Sequence, residues 1–186
     1  MLGSKNEAPE LTRMVKARLL PASAVLVEAD ERERAALADR FGIVSIEALS
    51  AQVELEQCQK GVRAQGALQA QITQICAVSG DPFRVAIEEP ITLRFIEHGS
   101  AALTPSDDDD IDFDLTTEDC EEIEYDGESF DLGEAVAQTL GLAIDPYAEG
   151  PNANAVRKKA GIVEEGQQDG PLAQALAALK GKSQAR

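Results

Sequence analysis

Between residues 62 and 73 the chain alternates in a single phase. Val62, Ala64, Leu68, Ala70 and Ile72 fall on one face, and Arg63, Gln65, Gln69, Gln71 and Thr73 on the other. A period of two held over about a dozen residues predicts a long, half-buried antiparallel strand. The stretch before it, Ile43–Gln57, ends with the same period, Val53 and Leu55 against Glu54 and Glu56, and Gln59-Lys60-Gly61 reads as the hairpin turn between the two. Two shorter strands follow, one through Phe83, Val85 and Ile87 and one through Ile91, Leu93 and Phe95, with Glu88-Glu89-Pro90 as the break. Four strands in succession without an intervening helix point to a meander rather than to parallel βαβ units.

Helical spacing occurs on either side of this region. Asp30 opens a helix whose apolar face is Ala35, Leu37, Ala38 and Phe41; Asp30 with Glu33 fits a capping box, and Gly42 fits the stop. A second helix starts at Asp131, with Glu134 three residues on and Leu132, Ala135, Val136, Leu140 and Ala143 on its apolar side, and ends at Asp145-Pro146. Met14–Val27 reads as extended chain broken at Pro21, and Asp126-Gly127 as a hairpin or tight turn after Glu121–Tyr125. Beyond Gly150 the apolar content falls. There Pro171–Lys180 reads as one short amphipathic helix, with Leu172, Leu176 and Leu179 on one side.

Charge changes this picture in one segment. No Lys or Arg occurs from Glu97 to Asn154, whereas 17 of the 34 acids lie between Asp107 and Glu149, so the formal net charge of −17 belongs to that part of the chain. Such a segment repels phosphate and attracts basic partners. A solvated acidic loop serving only solubility is the plain reading of such a run; a docking surface for a basic protein is the sharper one. Residues 99–120, with Asp107, Asp108, Asp109, Asp110, Asp112 and Asp114, are read as a flexible acidic loop. The candidate RNA contacts are few and lack interleaved aromatics: Lys16, Arg18, Lys60, Arg63, Arg157, Lys158 and Lys159.

Catalytic and metal constellations are sparse. His98 is the single histidine, at a strand end, where a surface histidine is the ordinary reading and a general base the rival one. Cys58, Cys76 and Cys120 are far apart, which favours reduced thiols and assembles no recognisable zinc set. The run Asp107–Asp114 lacks the glycine and closing Glu of a calcium loop. No catalytic residue, metal or cofactor is therefore expected. No run of apolar residues reaches the ~18 of a membrane span, and Met1–Leu11 lacks the apolar core of a signal peptide, so a cytoplasmic protein is expected.

Two stretches, in this order, resemble the YceD family of large ribosomal RNA subunit accumulation proteins. Cys76-Ala77-Val78-Ser79-Gly80-Asp81-Pro82-Phe83 looks like the family's Cys-x-x-Cys-Leu-x-Pro-Phe turn between strands, and Asp131-Leu132-Gly133-Glu134 like its Asp-Leu-Gly-Glu helix entry, followed by Asp145-Pro146-Tyr147. The family motif residues are thus Cys76, Asp81, Pro82, Phe83, Asp131, Leu132, Gly133 and Glu134. Ser79 stands where members with a metal pattern carry a second Cys, and no Cys follows Pro146, which puts a zinc role in doubt here. The resemblance implies a non-enzymatic factor supporting synthesis, processing or stability of large-subunit (23S) ribosomal RNA in a bacterial cytoplasm or a bacterial-type organelle. It implies as partners a basic large-subunit ribosomal protein, the 23S precursor, or both, with neither membrane nor small-molecule substrate. The alternatives are a protein-interaction adaptor without an RNA role and, further off, a hydrolase using His98.

The expected architecture is a single α+β domain over residues 11–148. It has an antiparallel sheet that could close into a barrel, two main helices and the acidic loop. Residues 1–10 form a flexible N-terminus, and residues 149–186 a mobile tail carrying the short helix at 171–180.

Overall fold

A computed structural model describes residues 10–58, 61–99 and 121–162. The predicted turn at Gln59-Lys60, the acidic positions Asp107, Asp108, Asp109, Asp110, Asp112 and Asp114, and the helix at 171–180 lie outside the described residues. The strands are β1 (Met14–Lys16), β2 (Val25–Glu28), β3 (Ser45–Cys58), β4 (Gly61–Ile75), β5 (Pro82–Glu97), β6 (Glu121–Tyr125) and β7 (Ser129–Asp131). The helices are α1 (Glu31–Phe41), α2 (Leu132–Ala143) and α3 (Ala153–Lys159). By contacts the chain divides into two compact units, Met1–Ile75 with Pro82–Pro146, and Cys76–Asp81 with Tyr147–Arg186.

The first unit is α+β. Its five-stranded sheet has the order β2-β3-β4-β5-β6, and β1 and β7 form a separate pair. The sheet stays open rather than closing into a barrel, with β2 and β6 as its edges. Pairing is antiparallel except between β5 and β6, which run parallel.

The alternation read from residues 62–73 translates directly into burial: Val62, Ala64, Leu68, Ala70 and Ile72 are all buried. They share one core with the buried faces of α1, which packs on β3, and of α2, which packs on β4 and β5. Val62, Leu68 and Ile72 each contribute about 1.5–3 kcal/mol by leaving water, and the two alanines less. Aromatics are few, but Phe95 of β5 stacks on Phe130 of β7 with ring centroids 4.1 Å apart, joining the two sheets.

Three expectations need correction. Glu88-Glu89-Pro90 does not separate two strands, because β5 runs unbroken through it with Pro90 opposite Ala67. Beside Pro90 the strand has, among the described residues, a neighbour on the β4 side only, so a missing N–H need not interrupt a ladder on both sides. Second, Asp126-Gly127 makes a turn but no hairpin: β6 joins the five-stranded sheet, whereas β7 pairs with β1. Third, of the apolar face expected for α1, Leu37 and Ala38 are buried and Phe41 half-buried, but Ala35 is exposed.

The α1 cap forms as predicted. The Asp30 carboxylate accepts the Glu33 N–H at 2.8 Å, and the Glu33 carboxylate accepts the Asp30 N–H at 2.8 Å. Gly42 closes the helix at φ 65°, a left-handed conformation that costs a residue with a Cβ far more.

Candidate partner-binding surface

The Asp-Leu-Gly-Glu entry to α2 is a structural clasp. Oδ1 of Asp131 accepts N–H groups from Arg13 (2.8 Å), Gly133 (2.9 Å) and Glu134 (3.2 Å). In return the Leu132 N–H donates to the Arg13 carbonyl at 3.0 Å. A Cβ on Gly133 would stand 2.7 Å from both Arg13 N and Leu11 O, so only glycine lets the 11–13 segment lie this close. Glu134 does not complete the predicted capping box. Its carboxylate is instead forked by Arg40, at 2.9 and 3.1 Å, and this guanidinium holds it below the usual carboxylate range. Arg13 in turn forks Glu33 of α1 at 2.7 and 3.0 Å. These motif residues therefore tie α1, α2 and the N-terminal segment together, and Leu132 is fully buried.

The other motif stretch lies mostly in the second unit. Cys76 is 2 % exposed. Its N–H donates to the Asp81 carbonyl at 2.9 Å, and Gly80 returns an N–H to the Cys76 carbonyl at 3.0 Å. Sγ of Cys76 accepts N–H groups from Val78 at 3.4 Å and Ser79 at 3.3 Å. The Ser79 hydroxyl, then the Ser79, Gly150 and Val78 amides, bring the thiol down to about 7 against the opposing effect of burial. The Asp81 carboxylate accepts from the Asn152 side chain at 3.2 Å. A thiolate so surrounded is stabilised by donors rather than by a cation, and no group of three or more His, Cys, Asp or Glu able to hold a metal occurs among the described residues. Pro82 and Phe83 belong to the first unit, where Pro82 opens β5 opposite Ile75 and Phe83 is half-buried.

The basic positions are divided between the two units. Lys16 and Arg18 are exposed around the end of β1, and Lys60 lies outside the described residues. Arg63 sits on the outer sheet face directly opposite Arg94, with its Nε enclosed and unpartnered. It lines an open cleft of about 350 Å³ together with Glu54 and Glu56, so two carboxylates outnumber one guanidinium there. That balance disfavours phosphate. In the second unit Arg157, Lys158 and Lys159 form the last turn of α3, and Arg157 is forked onto Glu149.

Acidic residues do converge, on β6 and the turn after it. Glu121, Glu122, Glu124, Asp126 and Glu128 are all exposed, and Glu97 ends the neighbouring β5. Two of these carboxylates have basic partners: Glu122 takes Arg94 at 3.0 Å and Glu124 takes His98 Nδ1 at 2.8 Å. Glu124, by hydrogen bond and by charge, raises the His98 pKa. The imidazole is 69 % exposed, so water surrounds it rather than an enclosed site. The sequence reading placed the acidic surface at 107–114 and missed the cluster on β6. Five acids within Glu121–Glu128 and no base was the available signal.

The family model described as "Large ribosomal RNA subunit accumulation protein YceD" matches residues 64–180, more than half of the chain. The match spans the Cys76 turn, the acidic segment and the α2 clasp. No curated protein and no solved structure matches at a significant level. Among the described residues no helix is long and apolar enough to cross a membrane.

Proposed function

The chain belongs to the YceD family, whose description ties it to accumulation of large-subunit ribosomal RNA, and from that premise we propose a non-enzymatic factor that acts through a basic protein client. The client is a basic large-subunit ribosomal protein held on the acidic part of this chain and released to 23S ribosomal RNA when phosphates displace the carboxylates. The observation that carries the reading is the exposed carboxylate cluster of Glu121–Glu128 next to Glu97, in a sequence stretch with no Lys or Arg from Glu97 to Asn154. Opposite potentials steer association and loosen as salt rises, which suits a transient escort. In the same proposal Asp107, Asp108, Asp109, Asp110, Asp112 and Asp114 extend the acidic surface.

Direct RNA binding is less favoured. Arg63 is balanced by Glu54 and Glu56, and the remaining cations are spread over both units without aromatic platforms for bases. The YceD family is not a known enzyme family. The exposed His98–Glu124 pair lies open to water, so nothing there desolvates a reacting group.

The test is a tagged pull-down at low salt with and without nuclease, together with 23S precursor and mature RNA levels after depletion of the protein. Recovery of one basic large-subunit ribosomal protein after nuclease, and a fall in mature 23S RNA, is the expected result. Precursor RNA that disappears with nuclease, with no such protein recovered, would move the function to direct RNA contact. Unchanged RNA levels would remove the ribosomal reading and leave an adaptor.

A further inference from the structure

A sheet edge is a row of backbone N–H and C=O groups without partners, and an extended peptide can satisfy them by adding a strand. Among the described residues β6 is such an edge, hydrogen-bonded to β5 on one side through Leu93–Glu97 and to no strand on the other. Its side chains are unusual for an edge open to any comer. Glu121, Glu122 and Glu124 project from it, and Asp126 and Glu128 follow in the turn. The inward positions Ile123 and Tyr125 pack on the core, which holds the strand in place while the acids face water. Tyr125 also meets the Phe130 ring at 5.8 Å.

We propose that the β6 edge is a docking site for an extended, lysine- and arginine-rich segment of the partner, which adds as a sixth strand. The inference rests on the acidic-client reading above and gives that client a mode of binding. Charge decides between occupants. A second copy of this chain pairing β6 against β6 would set glutamates beside glutamates, which opposes pairing. A basic strand sets cations beside them. The same carboxylates therefore protect the edge from self-association and select what docks. The open part of the β5 edge offers no equal site, since it carries Pro90, which lacks a donor, and Arg84 beside Glu88 and Glu89, which present mixed charge.

Strand addition differs from plain charge attraction in one measurable respect, its demand on the peptide backbone. The probe is an acetylated, amidated octapeptide of alternating Lys and Val, titrated against the full chain at low salt. Two further versions carry N-methyl groups on one or the other alternate set of backbone nitrogens. Both keep every charge, but each blocks only one edge of the peptide. The expected result is that one methylated peptide loses about tenfold or more in affinity while the other stays close to the parent. The variant Glu121→Gln/Glu124→Gln/Glu128→Gln, which spares the Arg94 partner Glu122, should weaken the parent peptide about tenfold and flatten its salt dependence. Its melting temperature, measured above the folded His98 pKa where the Glu124 pair no longer contributes, should match that of the unmodified chain, since all three side chains are exposed.

Equal binding of both methylated peptides would overturn strand addition, as would undiminished binding by the triple variant. A doubled mass without peptide that peptide dissociates would give the edge to a second copy. Tighter peptide binding after deletion of residues 100–118 would give it to the chain's own segment. Either outcome replaces the proposed occupant. If the peptide tests fail while the low-salt pull-down still recovers a basic ribosomal protein, the docking mode falls and the client reading stands. If the pull-down recovers none, the client reading itself falls.

Discussion

Replacing Asp131 by Ala tests whether the Asp-Leu-Gly-Glu entry is a clasp or a contact surface. The substitution removes one oxygen that accepts three N–H groups, from Arg13, Gly133 and Glu134. Two of these belong to the first turn of α2, and loss of an N-cap acceptor costs about 1 kcal/mol. The third, the part-buried Arg13 N–H, lies 118 residues away in sequence, and leaving such a donor unpaired costs roughly 1–3 kcal/mol. The sum is about 2–4 kcal/mol, or a fall of roughly 6–12 °C in melting temperature at about 3 °C per kcal/mol. Asp131→Asn keeps an acceptor oxygen in place and should cost about 1 kcal/mol or less. Urea unfolding followed by far-UV circular dichroism measures both, and basic-peptide binding by the folded fraction should be unchanged. A loss under about 0.5 kcal/mol for the Ala variant would refute the clasp, because three orphaned donors cannot be that cheap. Normal stability with lost peptide binding would instead make Asp131 a contact residue.

Three other outcomes follow from the same geometry. Gly133→Ala should destabilise by about 1–3 kcal/mol, because its Cβ meets backbone at 2.7 Å rather than a yielding side chain, and chemical unfolding with the Asp131→Ala background should show the two losses to be less than additive. The Cys76 thiol has a folded pKa of about 7, below its ordinary value, so its donors stabilise the folded form above the unfolded pKa, and that contribution fades as pH falls through 7. Thiolate ultraviolet absorbance against pH in Cys58→Ser/Cys120→Ser protein should have a midpoint near 7, moved upward by Ser79→Ala; an unmoved midpoint would reject the hydroxyl as its main cause. Glu124 raises the His98 pKa, so the pair helps the fold below the unfolded histidine pKa and ceases to help as pH rises through the folded one. His98→Ala should remove that pH dependence and leave large-subunit RNA levels intact; a fall in those levels would revive the enzymatic reading.

Local physics made much of this protein legible before any fold was known. The period of two through Val62–Ile72 depends only on strand geometry and on one wet face, and it returned the buried set residue by residue. The α1 cap is equally local, since Asp30 and Glu33 need only each other's backbone. Even the unbroken β5 was present in the sequence: Phe83, Val85, Ile87, Ile91, Leu93 and Phe95 share one parity, and the turn-like Glu88-Glu89-Pro90 obscured it. What tertiary structure alone decided are choices made between distant segments. The parallel course of β6 beside β5 and the pairing of β7 with β1, from opposite ends of the unit's sequence, turn on which edge each strand meets, and no periodicity encodes an edge. The role of Asp131 depended on Arg13 arriving from the other end of the unit, and Glu134 abandoned its predicted cap because Arg40 offered a charge. The acids of Glu121–Glu128 were countable in the sequence, yet only the pairing pattern set them along an unpaired strand edge, because exposure of a backbone ladder is a property of the whole sheet.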